Sequence, residues 1–307
     1  MKPMKLSWPI IIPESLHMKD PTIVEAHTSY VLGLLFTHDG QTLVSAGMDN
    51  VVKLWSAPDW TPVRTFEGHA NSVNSISLSP DGKTLATGST DATVKLWAFP
   101  EGLLLHTLQD RKKVVAAVRF SPDGKWVAAG SYGGRVMIWT LAGEAVVGIK
   151  VSKKNLSSVA FSPDGTTLAI AGLGDDISLW SLPSGEAIGT LSGHSIAVGS
   201  LRFINTGRTL VSMGHEQMIR FWDTETWREA RALELHTPGA RSLVFSPDEK
   251  TAAISMESKV QLWSVKDWAL QAELPVATKA VSSLAFSPDG RRLAIGAADR
   301  KVRVWEL

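Results

Sequence analysis

Short stretches that alternate apolar and polar residues recur along the chain, and the clearest end in tryptophan. Examples are Val51-Val52-Lys53-Leu54-Trp55, Thr93-Val94-Lys95-Leu96-Trp97 and Lys301-Val302-Arg303-Val304-Trp305. A period of two in β-branched and aromatic residues marks a half-buried strand. Seven such tryptophans, Trp55, Trp97, Trp139, Trp180, Trp222, Trp263 and Trp305, follow one another at intervals of 42, 42, 41, 42, 41 and 42 residues. Each interval holds one apolar strand before a recurring turn, a second after it, the tryptophan strand, and a fourth such as Val63-Arg64-Thr65-Phe66. Helical periodicity is almost absent. Four short strands repeated every 40 to 45 residues predict an all-β, seven-bladed β-propeller of four-stranded antiparallel blades.

The recurring turn reads Ser79-Pro80-Asp81-Gly82, Ser121-Pro122-Asp123-Gly124, Ser162-Pro163-Asp164-Gly165 and Ser287-Pro288-Asp289-Gly290. Thr37-His38-Asp39-Gly40, Ile204-Asn205-Thr206-Gly207 and Ser246-Pro247-Asp248-Glu249 are its variants. Proline presets φ, aspartate bonds back to its own turn, and glycine accepts positive φ, so this is hairpin chemistry.

These landmarks resemble the WD-repeat (β-transducin-repeat) family over residues 21–307. Its repeat opens with Gly-His and closes with Trp-Asp. Gly68-His69 and Gly193-His194 match in full, Ala26-His27 and Leu235-His236 keep the histidine, and Trp222-Asp223 keeps the closing pair. The chain ends two residues after Trp305, so the seventh blade lacks an outer strand of its own. Pro21-Thr22-Ile23-Val24-Glu25-Ala26-His27 aligns with Val63-Arg64-Thr65-Phe66-Glu67-Gly68-His69. The resemblance implies that this N-terminal strand closes the last blade and hides two sheet edges. The expected division is an N-terminal extension, 1–20, and one propeller domain, 21–307.

Composition narrows the function. The 31 basic and 30 acidic residues nearly cancel, to +1, which argues against a dedicated nucleic-acid binder. With no cysteine, the chain has no disulfide, thiolate metal site or cysteine nucleophile. The N-terminal apolar run is interrupted by Pro9 and Pro13 and does not read as a signal peptide, and no stretch is long enough to span a bilayer. The expectation is a soluble, cytoplasmic protein without membrane, cofactor, metal or obligate small-molecule partner.

Three blades carry a polar set: His27, Ser45, Asp49 and Trp55; His69, Thr87, Asp91 and Trp97; His194, Ser212, Glu216 and Trp222. Hydroxyl, imidazole and carboxylate together suggest a nucleophile, its base and an orienting group. Recurrence at the repeat period favours a structural clamp instead, a buried relay in which polar groups satisfy one another, as the resemblance also implies. Blade three has Arg111, Ala129 and Gly133 at these positions and blade four has Ser152, Ile170 and Gly174; blade six keeps His236, and blade seven keeps Asp299 beside Ala277 and Ile295. Loss of the histidine, hydroxyl and carboxylate together in blades three and four fits a cooperative network whose half-satisfied form is worse than none. Asp175-Asp176 reads as a solvated turn without calcium-loop spacing, and His17, His38, His106 and His215 are scattered without metal-ligand spacing.

Propeller loops sort by face, and the family's top face collects the loops between blades and between the second and third strands. There Arg111, Lys112, Lys113, Lys153 and Lys154 form a basic arc over blades three and four, with Tyr132 in a second top loop and Arg135 just past it. Family analogy places Tyr30, Leu32, Met48, Asn74, Thr90, His215, Arg241 and Met256 around the top of the central channel. Trp60, Trp227 and Trp268, each five residues after a repeat tryptophan, occupy the opposite rim, as interface anchors or as covers for their own blades.

The leading expectation is a non-catalytic protein–protein interaction scaffold or adaptor subunit with one or more protein partners, including an acidic segment. Nucleic-acid or phosphopeptide binding through the basic arc is the alternative, and a propeller hydrolase the second. The hydrolase would require a single, non-repeating acid–base or metal cluster, and the sequence offers none.

Overall fold

A computed structural model of the chain describes residues 4–5, 20–235, 239–276 and 280–307. Seven antiparallel sheets follow one another along it, and they are the blades of a β-propeller. Blade one is Val31–Phe36, Thr42–Gly47, Val52–Ser56 and Thr61–Phe66, paired in that order. The pattern repeats in blades two (73–108), three (115–150), four (156–191), five (198–234) and six (243–275). Blade seven takes three strands from 281–306, and Thr22–Glu25 is its fourth, with Val24 opposite Val302. The expected N-terminal closing strand is therefore present; Val24 and Ala26 are buried and Lys301 Nζ lies 2.5 Å from Glu25 Oε1. Blade five also carries a two-residue strand, Met4–Lys5, inside the stretch expected to be an extension.

The chain divides into two compact units. Unit one, His69–Glu234 with Met1–Met4, holds blades two to five; unit two, Lys5–Gly68 and Leu235–Leu307, holds blades six, seven and one. The sequence grouped all of 21–307 as one domain.

Within each blade the inner strand shows a repeating burial order, with its second and fifth side chains half-buried in Val31–Phe36 and Val115–Phe120 and the others buried. The second strands are almost wholly buried, as in Thr84–Ser89, because they pack on both faces. The outer strands are mostly exposed and end on a buried anchor such as Phe66 or Leu108. The pairing slips by one residue at Leu54/Trp55, Ile138/Trp139, Leu179/Trp180 and Phe221/Trp222. A bulge there adds twist next to the large indole.

In the Ser-Pro-Asp-Gly turn of blade three, Ser121 Oγ donates to Asp123 Oδ1 at 2.7 Å, and the Lys125 amide donates to the same oxygen at 3.1 Å. Gly124, at φ 71°, donates to Ser121 O. The Ser121 hydroxyl, then the Lys125 amide, hold the Asp123 carboxyl below its ordinary range despite slight burial. The turn also joins neighbours. A side chain at Gly124 would meet Pro80 of the preceding blade at 3.4 Å, and one at Gly207 would meet Pro163 at 2.8 Å. Pro122 stands in the same way against Gly165 in unit one, as do Pro247 against Gly290 and Pro288 against Gly40 in unit two.

Candidate functional site

The three polar sets close as clamps. In blade one, His27 Nδ1 lies 2.8 Å from Asp49 Oδ1, His27 Nε2 lies 2.8 Å from Ser45 Oγ, and Trp55 Nε1 donates to Ser45 Oγ at 2.9 Å. Blade two repeats this through His69, Asp91, Thr87 and Trp97 at 2.8, 2.6 and 2.9 Å. One tautomer satisfies the relay: indole N–H to hydroxyl oxygen, hydroxyl O–H to Nε2, and Nδ1–H to carboxylate. The imidazole is then neutral. Burial pushes His27 and His69 below their ordinary values, outweighing the opposing pull of Asp49 and Asp91.

The carboxylates do a second task. Asp49 accepts the Thr28 amide at 2.8 Å, and Asp91 accepts the Ala70 amide at 3.0 Å, so the loop entering each blade is fastened to the loop before its third strand. Burial raises both carboxyls, but these amides and the histidines outweigh it; with Thr93 added, Asp91 is held at about 2. Ser45, Thr87 and Ser212 are fully buried and their hydroxyls are engaged inside the blade. A nucleophile must reach a substrate, and these do not reach the surface.

Blade five is an imperfect copy. His194 Nε2 lies 2.7 Å from Ser212 Oγ, Trp222 Nε1 donates to Ser212 Oγ at 2.9 Å, and His194 Nδ1 pairs with Glu216 Oε1. Here the carboxylate's second oxygen does not fasten the entering loop: Glu216 Oε2 is buried without a partner among the described residues.

The blades without clamps differ from one another. In blade four the indole outlasts its clamp: among the described residues Trp180 Nε1 is buried with no acceptor. Ile170 replaced the hydroxyl, while the indole stayed because its rings fill the core. Trp305 Nε1 in blade seven is the same case, and Asp299 there turns to Arg303, with Nη2 2.5 Å from Oδ2. In blade six, Gln261 Oε1 accepts from Trp263 Nε1 at 3.3 Å. His17, His236 and Ala277 lie outside the described residues.

On blades three and four, Arg111, Lys112, Lys113, Lys153 and Lys154 are all exposed, as is Tyr132. Arg111 stands where His27 and His69 stand in the clamped blades. Two members of the arc are neutralised: Arg135 Nε lies 2.7 Å from Asp110 Oδ2, and Lys154 Nζ lies 3.9 Å from Asp175 Oδ1. Lys150, missed in the sequence because it ends an outer strand rather than a loop, donates to Gly133 O at 2.6 Å and joins the same surface. Beside it, Lys153, Lys154, Asn155, Asp175 and Asp176 line a groove of about 420 Å³.

The residues expected at the channel mouth do not behave alike. Tyr30, Met48 and Arg241 of unit two and His215 of unit one are exposed. Met256 is buried, and Asn74 is turned to structural use: its Nδ2 donates to Val115 O at 2.9 Å and to Thr90 Oγ1 at 3.0 Å. Trp60 and Trp268 are buried covers of their own blades, edge-on to Phe36 and Phe245, and Trp227 is half-buried. All three sit at positive φ, 53°, 56° and 52°, where blades two and four have Gly102 and Gly185. Tryptophan tolerates that strained backbone for its packing. Among the described residues no cluster of three or more histidine, aspartate or glutamate side chains could hold a metal ion. Among the described residues no helix is long and apolar enough to cross a membrane.

The family model described as the IFT122 first beta-propeller matches residues 30–306. No curated protein matches the chain. The match runs from the start of blade one to the last strand of blade seven, and the chain belongs to the IFT122 first beta-propeller family.

Proposed function

We propose that this propeller is a non-catalytic scaffold that holds partner proteins, and that the basic surface of blades three and four receives an acidic segment of one of them. The carrying observation is that Arg111, Lys112, Lys113 and Lys153 stand exposed together, outside any ion pair among the described residues, in the two blades whose polar clamps are gone. Exposed like charges on neighbouring loops repel one another, and a complementary acidic chain relieves that while speeding its own capture. Tyr132 supplies an amphipathic contact, and the groove beside Lys153 and Lys154 gives the chain somewhere to lie. A cytoplasmic location belongs to the same reading and is checked by fractionation.

The test is fluorescence anisotropy with a labelled acidic peptide and, in parallel, single-stranded RNA of equal length. Saturable peptide binding that weakens as salt rises and vanishes in K112E/K113E/K153E/K154E is expected. Unchanged peptide binding by that variant refutes the assignment of the surface. RNA binding tighter than peptide binding, with the same loss in the variant, moves the reading to nucleic acid.

A further inference from the structure

The inner strands of unit one bring one side chain per blade to the same level: Ser77, Arg119, Ala160 and Arg202, opposite Ala86, Ala128, Ala169 and Val211 of the second strands. This is the fifth position of each inner strand. Arg119 and Arg202 are half-buried there, two blades apart, with small Ala160 between them. Burial, reinforced by the positive charge of Arg202, lowers Arg119 to about 9, and burial lowers Arg202 as well.

Neither arginine has an acidic partner among the described residues. The ion pairs of unit one engage Lys125, Arg135, Lys154, Arg220 and the clamp histidines His69 and His194. Arg119 Nη1 donates to Val118 O at 2.8 Å and to Ser75 Oγ at 3.4 Å, and Arg202 Nη1 donates to Leu201 O at 3.1 Å. These acceptors are neutral. No hydrogen bond to a described residue engages Nε or Nη2 of either side chain. Ser75 and Ser77 line the neighbouring strand, where their oxygens accept the Val118 and Phe120 amides at 3.1 Å and leave the hydroxyl protons free to donate.

Two half-buried like charges are costly to bring together, and a guanidinium does not escape by losing its proton at neutral pH. An anion between them removes the cost. We infer that Arg119 and Arg202, with Ser75 and Ser77 beside them, form a seat on the axial side of blades two to five for a small phosphate-type oxyanion. The planar fork of arginine matches such an oxyanion with paired N–H bonds. Small size is required because the seat lies among inner strands, so inorganic phosphate or a small phosphomonoester fits and a polymer does not.

The experiment uses the full chain at pH 7.5 and fixed ionic strength, with inorganic phosphate titrated against chloride and followed by ³¹P line broadening and by melting temperature. Saturable broadening and a phosphate-dependent rise in melting temperature are expected for the wild type. R119M and R202M should each weaken binding by roughly tenfold or more, as expected for loss of a charge-assisted pair, and R119M/R202M should abolish it. Without phosphate, the double variant should melt no lower than the wild type, because the repulsion is gone. A purely structural role for the arginines gives the reverse, a double variant that melts lower. R119K/R202K, which keeps the charges and loses the fork, should bind more weakly than the wild type. The proposal is overturned if wild-type protein shows no saturable binding at about 10 mM phosphate, where even a millimolar site is mostly filled. It is equally overturned by the same melting shift in wild type and R119M/R202M, the signature of general exclusion of phosphate from protein surface. A sugar phosphomonoester competing as well as phosphate identifies a metabolite as the occupant, and failure to compete identifies the free ion.

Discussion

The clamp of blade five invites a repair. Glu216→Asp shortens the side chain by one methylene and returns the carboxylate to the position in which Asp49 and Asp91 each accept the amide after the histidine, at 2.8 and 3.0 Å. It also brings the carboxylate's second oxygen, buried without a partner as Glu216 Oε2, within reach of that amide. Relieving an unsatisfied buried acceptor is worth about 1–3 kcal/mol, and the lost methylene costs about 0.8 kcal/mol of burial. The expected net gain is on the order of 1 kcal/mol. The reciprocal change, Asp91→Glu, should cost about 1–3 kcal/mol, because it displaces a carboxylate that accepts from Ala70 N and Thr93 Oγ1. Urea unfolding at pH 7.5 reads both: the midpoint should move up for E216D and down for D91E, with the slope unchanged. A lower midpoint for E216D, or no loss for D91E, would refute the idea that the second carboxylate oxygen fastens the entering loop.

The clamps also set a pH dependence. His27, His69 and His194 are lowered chiefly by burial, so the unfolded chain binds more protons near neutrality. Their contribution is complete above the unfolded value of about 6.5 and is lost as pH falls through the depressed folded values. The urea midpoint should be flat above pH 7.5 and decline on acidification, with a shallower decline in His69→Gln; an equally steep decline in that variant contradicts the assignment. Deleting residues 1–26 removes the strand paired with Lys301–Glu306 and uncovers that edge. Loss of the folded monomer, followed by size exclusion and melting, is expected, and an unchanged monomer with unchanged melting temperature would show that the strand is dispensable.

The blades were legible because tryptophan spacing and the Ser-Pro-Asp-Gly turn report local backbone requirements that every repeat must meet. The clamps were legible for the same reason: His27, Ser45 and Asp49 recur at fixed offsets from Trp55. Consequences of pairing across strands were not legible. Asp110 and Arg135 belong to different parts of the repeat, and nothing in their spacing announces a 2.7 Å contact. Arg119 and Arg202 occupy alternating strands in which an arginine ordinarily reads as a solvated residue, so their partial burial depends on where the inner strand faces. Trp60 and Trp268 were ambiguous because a turn position requiring positive φ suits glycine, and the burial that justifies tryptophan there is tertiary.

The proline–glycine stacking of the turns has an evolutionary and engineering meaning. Each joint is head-to-tail, since one repeat supplies the proline and the next supplies the glycine, so a duplicated repeat arrives with both halves of its connectors. The two turns with another residue at the proline position, His38 in blade one and Asn205 in blade five, fall in the last blade of each unit. Joints therefore run unbroken inside each unit. A recombination breakpoint near residue 69 or 235 would leave every such joint whole, whereas one between blades three and four would part Pro122 from Gly165. Chain permutation or repeat grafting is best attempted at the first two places.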